Sequence, residues 1–144
     1  MFNQPQEVRL SVWSDFRKSL ETAEDPLSET AEFWSGAPFI PYNNQIDPFN
    51  YRSWPTPWDI IVTNRYDDFT KAVMMAWTII YTERYNNSAI SIQTYIDTVH
   101  NRPYNCVIID DEHVLNYIDN EVELVKNLPP SFRLENLVEL KRPR

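Results

Sequence analysis

The residues best suited to covalent chemistry are few. The chain holds one cysteine and two histidines, and Cys106 and His113 are the only near pair. A thiolate activated by an imidazole needs the two within hydrogen-bond reach. A hairpin turning at Asp111-Glu112 sets His113 opposite Asp110 and Cys106 opposite Tyr117. The two then share a face but lie roughly 13 Å apart along the ladder. His100, in the preceding turn, is no better placed. Order and spacing argue against a cysteine protease or transglutaminase type of activity, and Cys106 reads as a small apolar residue on a strand. Asp110-Asp111-Glu112-His113 offers oxygen and imidazole ligands. Adjacent turn residues rarely converge on one ion, and there is no HExxH, His pair or EF-hand loop. The run reads as a solvated hairpin tip. The paired carboxylates Asp67-Asp68 and Asp110-Asp111 point apart, and a glycosidase needs a deep cleft between its two. Ser35-Gly36 lacks the context of a nucleophile elbow. No catalytic residue, metal ligand or cofactor site is expected, and the chain reads as non-enzymatic.

Composition narrows the rest. The 144 residues carry a net charge of −8, with one glycine, Gly36. One glycine excludes the glycine-rich loops that cradle phosphates. A pI near 4.7 argues against direct nucleic-acid binding. The first twenty residues are too charged for a signal peptide, and no run approaches the ~18 apolar residues of a membrane span. Two acidic clusters contain no base: Glu24, Asp25, Glu29 and Glu32, and Asp110 through Glu123. They read as solvated faces, or as a surface that imitates DNA phosphates toward a basic partner.

The elements that would position these residues can be laid out. Val8, Val12, Phe16 and Leu20 predict an amphipathic helix over 6–20. Asp25-Pro26 starts a second, with Leu27, Ala31 and Trp34 inside. Thr56-Pro57-Trp58-Asp59 has the form of a capping box opening a short helix to Thr63. A longer, largely apolar helix follows from Asp67 or Asp68 to Tyr85, with Phe69, Val73, Trp77 and Ile80 as its core stripe. From Ser88 the period becomes two. Strands are expected around 90–96, 104–110, 113–118 and 121–125, joined by tight turns. Val107, Ile109, Val114 and Ile118 would share the face toward the central helix. The segment 128–144 is a turn followed by either a strand or a helix. The expected fold is α+β in a single domain, 1–144, with the central apolar helix packed on a C-terminal antiparallel meander.

Residues 36–57 stand apart. Pro38, Pro41, Pro48, Pro55 and Pro57 alternate with Phe39, Tyr42, Phe49, Tyr51 and Trp54. Prolines remove donors and disfavour helix, and so much aromatic area does not stay in water. The stretch is either a strap over its own domain or an arm on a neighbour. Trp34, Phe39, Tyr42, Phe49, Tyr51, Trp54 and Trp58 are the expected protein-interface residues. Phe33-Trp34-Ser35-Gly36-Ala37-Pro38, Asp47-Pro48, Trp54 to Ile61 and the Val-Leu-Asn-Tyr strand at 114–117 resemble short proteins encoded in tailed-bacteriophage genomes. That resemblance covers about residues 33–118 and carries no catalytic signature. It implies a virion or assembly component found in the particle and, during assembly, in the host cytoplasm. Such a component would contact other phage structural proteins or copies of itself. The alternative expectation is an acidic intracellular inhibitor of a host protein.

Overall fold

The computed structural model describes residues 1–43 and 45–143. Helix α1 spans Gln6–Ser19 and α2 spans Pro26–Ser35. Helix α3 spans Pro57–Thr63 and α4 spans Asp68–Ile80. The strands follow: β1 Ile90–Asp97, β2 Arg102–Ile109, β3 His113–Leu115, β4 Glu123–Leu124 and β5 Phe132–Leu140. One antiparallel sheet holds them in the order β4-β3-β2-β1-β5. The fold is α+β, as expected. The first four strands form the meander, and the segment after 128 becomes a fifth strand that returns to the far side of β1.

Sequence chemistry sets most helix starts. Asp25 caps α2 by accepting from the Ser28 N–H at 3.2 Å. The Thr56 hydroxyl accepts from the Asp59 N–H at 3.2 Å while the Asp59 carboxylate accepts from the Thr56 N–H, a full capping box. Asp67 caps α4 by accepting from the Thr70 N–H at 2.8 Å. Helix α4 ends at Ile80, five residues before the expected stop. The N–H groups of Glu83 and Arg84 there bond the Glu21 carboxylate instead of continuing the helix. In α1 the inward stripe runs through Leu10, Trp13, Phe16 and Leu20, while Val8 faces water.

Helix α4 is the centre of the molecule. All but two of its residues are buried, and it packs on α2 and on β1, β2 and β5. A polar clasp fixes the other helices to it. The Thr78 hydroxyl accepts from the indole N–H of both Trp13 and Trp34 at 3.0 Å each, and donates to the Met74 carbonyl at 2.6 Å. Trp34 is therefore core, completely buried, and not the interface residue expected of it.

The sheet departs from expectation at one turn. Val107 pairs with Leu115 and Ile109 with His113, so the β2–β3 turn is Asp110-Asp111-Glu112. Asp110 and Asp111 both take left-handed backbone, φ 54°, which short polar side chains tolerate. The extra turn residue moves β3 by one. Leu115 joins Val107 and Ile109 in the core under α4, and Val114 joins Cys106 and Ile108 in a cluster on the sheet's other face.

The proline-aromatic segment lies across its own domain. Ile46 is buried, and the Trp54 ring meets Phe69 edge-on at 5.6 Å. The Trp54 indole N–H donates to the Asp47 carbonyl, and the Asn136 amide to the Pro48 carbonyl. Phe39, Tyr42 and Phe49 project outward at 64 %, 76 % and 80 % exposure, and Tyr51 and Trp58 are partly exposed.

Candidate active site

The first turn of α4 carries two carboxylates with separate tasks. Asp67, outside the helix, takes the N–H groups of Thr70 and Asn43 on its two oxygens. Asp68, the first helical residue, points the other way, toward the sheet. Its Oδ2 accepts from the Asn105 amide at 2.9 Å, and its Oδ1 accepts from the Asn116 amide at 3.3 Å. A carboxylate at a helix N-terminus is favoured by the helix dipole and by the nearby unpaired N–H groups.

Each asparagine is held by a further bond that fixes its orientation. The Thr94 hydroxyl of β1 donates to Asn105 Oδ1 at 2.8 Å, leaving the Asn105 NH2 for Asp68. The Asn116 NH2 also reaches the Asn105 carbonyl at 2.9 Å. Asn116 follows β3 directly and has φ 64°. Strand alternation would send it to the face of Cys106. The left-handed turn brings its side chain back to α4 instead. The result is a chain of hydrogen bonds, Thr94 to Asn105 to Asp68 to Asn116, drawn from β1, β2, α4 and the end of β3.

Asp68 remains exposed at one wall of a cleft of about 620 Å³. Phe39 and Pro41 of the proline-aromatic segment face it across the opening, and Arg102, Tyr104 and Tyr117 line the sheet side. Lys71, one turn along α4, lies 3.6 Å from Asp119 and closes that end.

The other sequence candidates are not gathered here. Cys106 is fully buried on the opposite face of β2 from Asn105, and burial pushes its thiol up to about 12. His113 sits three ladder steps away, roughly 10 Å, so Cys106 and His113 form no pair. His100 bonds Asp97 at 2.7 Å in the β1–β2 turn. Asp110 accepts from the Ala89 N–H and shapes its turn. Asp68, Asn105 and Asn116 were not singled out as a group by sequence reasoning. The available signal was an acidic pair opening the most apolar helix. Adjacent carboxylates diverge, and that divergence aims Asp68 into the cleft.

No protein-family model and no curated protein sequence matches the chain. Solved structures do. Calcium-bound LapG of Legionella pneumophila superposes with a TM-score of 0.67 at 13 % identity, over 91 % of this chain and 74 % of that one. A second LapG structure gives 0.65 at 14 % identity, over 90 % and 73 %. An EGTA-treated form gives 0.65 at 14 %, over 90 % and 71 %. The fold is thus the one LapG has, and LapG is a protease. This likeness corrects the expectation of a non-enzymatic structural or assembly protein of a tailed phage. Residue types gave no view of this likeness, which lies in the fold and not in the sequence, at 13 % and 14 % identity.

One of these LapG structures is calcium-bound. No three His, Cys, Asp or Glu side chains converge among the described residues. At the first turn of α4, Asp67 and Asp68 spend their oxygens on backbone N–H groups and asparagine amides. Calcium takes six to eight oxygen ligands, and this pair does not fit that need. No helix among the described residues is long and apolar enough to cross a membrane.

Proposed function

We propose that this chain is a hydrolase acting on polypeptide in the cleft at the first turn of α4, with Asp68 as its acid–base group. The observation that carries the reading is the exposed Asp68 carboxylate, oriented on both oxygens by Asn105 and Asn116. Its placement in a LapG-like fold supports the choice of polypeptide as substrate. Phe39, 64 % exposed, and Pro41 border the cleft and offer apolar contact to an extended segment.

In this reading Asp68 takes a proton from a water molecule, whose oxygen attacks the amide carbonyl. The N–H groups of Asp68 and Phe69 at the helix start have no intrahelical acceptor and oppose the negative charge that develops on the carbonyl oxygen. The tetrahedral adduct collapses, the C–N bond breaks, and protonated Asp68 returns its proton to the leaving amine. Asn105 and Asn116 are positioning residues: they keep the carboxylate in one rotamer without giving up a proton.

The test is incubation of the purified chain with reduced, unfolded casein, followed by mass spectrometry of new peptide termini. Wild-type protein is expected to generate them. Asp68→Ala and Asp68→Asn should lower the rate by at least about 100-fold, the usual scale for a lost acid–base group. Asn105→Ala should lower it less. Cys106→Ala should leave it unchanged. Absence of new termini with wild type, or equal rates with Asp68→Asn, would refute the proposal.

A further inference from the structure

Strand β2 outruns its neighbour on one side. It spans Arg102–Ile109, but β3 pairs with it only from Val107 to Ile109. Beyond Leu115 the left-handed Asn116, φ 64°, turns the chain away. From Arg102 to Cys106, β2 pairs with β1 and, among the described residues, with no strand on its other edge. Arg102, Pro103, Tyr104 and Asn105 all line the Asp68 cleft. Side chains alternate between the two faces of a sheet, so successive residues border one cavity along the strand's edge, not from one face.

The ladder decides which backbone groups meet the cleft. The Asp110 N–H donates to the Ala89 carbonyl at 2.8 Å, so position 110 faces β1. Successive residues of an antiparallel strand direct their N–H and C=O to one neighbour and then to the other. Positions 109, 107, 105 and 103 therefore face the β3 side. The Ile109 carbonyl accepts from the Glu112 N–H there, and the Asn105 carbonyl accepts from the Asn116 amide at 2.9 Å. Two groups remain on the open edge, the Asn105 N–H and the Pro103 carbonyl. No turn or loop backbone among the described residues pairs with either. Pro103 itself has no N–H, and a proline within a strand belongs at such an edge. The other edges suit an added strand less: β5 is interrupted by a bulge opposite Thr94 and Tyr95, and β4 has two residues.

We propose that the open edge of β2 is the backbone-binding subsite of the cleft, where an extended segment of the substrate polypeptide adds to the sheet. The segment accepts from the Asn105 N–H and donates to the Pro103 carbonyl, the main-chain mode of strand addition. Neighbouring strands lie about 4.8 Å apart, so the segment runs that far from the Asn105 backbone. The Asn105 side chain bonds Asp68 at 2.9 Å, which brings the segment's amides alongside the carboxylate. A polypeptide supplies donors and acceptors at the spacing of the ladder, and a segment without N–H groups does not. The inference rests on the reading of the cleft as a hydrolytic site for polypeptide, whose means of holding substrate it names.

The probe is acetyl-Lys-Thr-Val-Thr-Val-Thr-Lys-amide, titrated into the full chain labelled with nitrogen-15. The control is the same peptide with every Thr and Val N-methylated. The probe is expected to shift the Asn105 amide resonance saturably and to slow its hydrogen exchange at least about tenfold. The methylated peptide should bind at least about tenfold more weakly. The probe should also slow any cleavage of casein, and the methylated peptide should not. No saturable shift of the Asn105 amide up to about 5 mM probe, equal binding of the methylated peptide, or protection confined to β5 overturns the inference, even where casein is cut. Protection of Asn105 by the probe alone, with casein left intact, refutes the hydrolytic reading and leaves the β2 edge as a peptide-binding site.

Discussion

Replacing Thr78 by valine should destabilise the protein far more than the loss of one hydroxyl suggests. Thr78 is completely buried, and its oxygen is the shared acceptor of the Trp13 and Trp34 indole N–H groups. Valine keeps the shape and the β-branch but accepts nothing. Two indole donors are then stranded in a fully buried site, with neither ring exposed to water. At about 1–3 kcal/mol for each unpaired donor, the sum is about 2–6 kcal/mol. Against a total of about 5–15 kcal/mol, that is a large fraction. For a chain of this size about 3 °C is lost per kcal/mol, so the melting temperature should fall by roughly 6–18 °C. Thr78→Ser retains the acceptor and loses one methyl, which costs about 1 kcal/mol. Urea unfolding followed by tryptophan fluorescence measures both variants. The reasoning is refuted if the valine variant is as stable as wild type, or if the serine variant is the weaker of the two.

Two further outcomes follow from the perturbed groups. Asp97 accepts from the His100 ring, from Ser131 and from two backbone N–H groups, and the His100 bond chiefly holds its carboxyl down at about 2. A carboxyl lowered in the folded state stabilises above its unfolded value, about 4, and loses that contribution as pH falls from about 4 toward 2. Melting curves should therefore show a stability gap between wild type and Asp97→Asn at pH 6 that closes as the pH is lowered through that range. Cys106, buried with its thiol raised to about 12, should resist iodoacetamide at pH 8 in the native protein and react promptly in urea.

The helical half of the fold is legible because its signals are local. Asp25-Pro26 and Thr56-Pro57-Trp58-Asp59 cap within three residues of themselves, so spacing alone locates α2 and α3. Trp34 shows the limit of composition. As an aromatic beside a proline-rich stretch it looks like interface material. Only the position of Thr78, 44 residues away, turns it into core. The end of α4 has a similarly remote cause: Glu21, distant in sequence, takes the N–H groups that would continue the helix.

The cleft depends on two backbone exceptions, which is why residue types did not reveal it. A two-residue β2–β3 turn would keep His113 opposite Asp110 and place Val114 inward. The three-residue turn, with Asp110 and Asp111 left-handed, puts Leu115 inward and ends β3 there. Asn116 would then belong to the outer face, with Cys106, if the strand continued. Its own left-handed φ reverses that and returns the amide to Asp68. Asparagine is the side chain that tolerates this backbone and still donates. A glycine at 116 would keep the turn and lose the donor, and a valine would keep neither. The requirement at this position is therefore conformational and chemical at once. Asn105 needs no such exception, because the ladder with Thr94 already faces it toward α4. The two asparagines thus reach one carboxylate by different routes, one by strand register and one by breaking it.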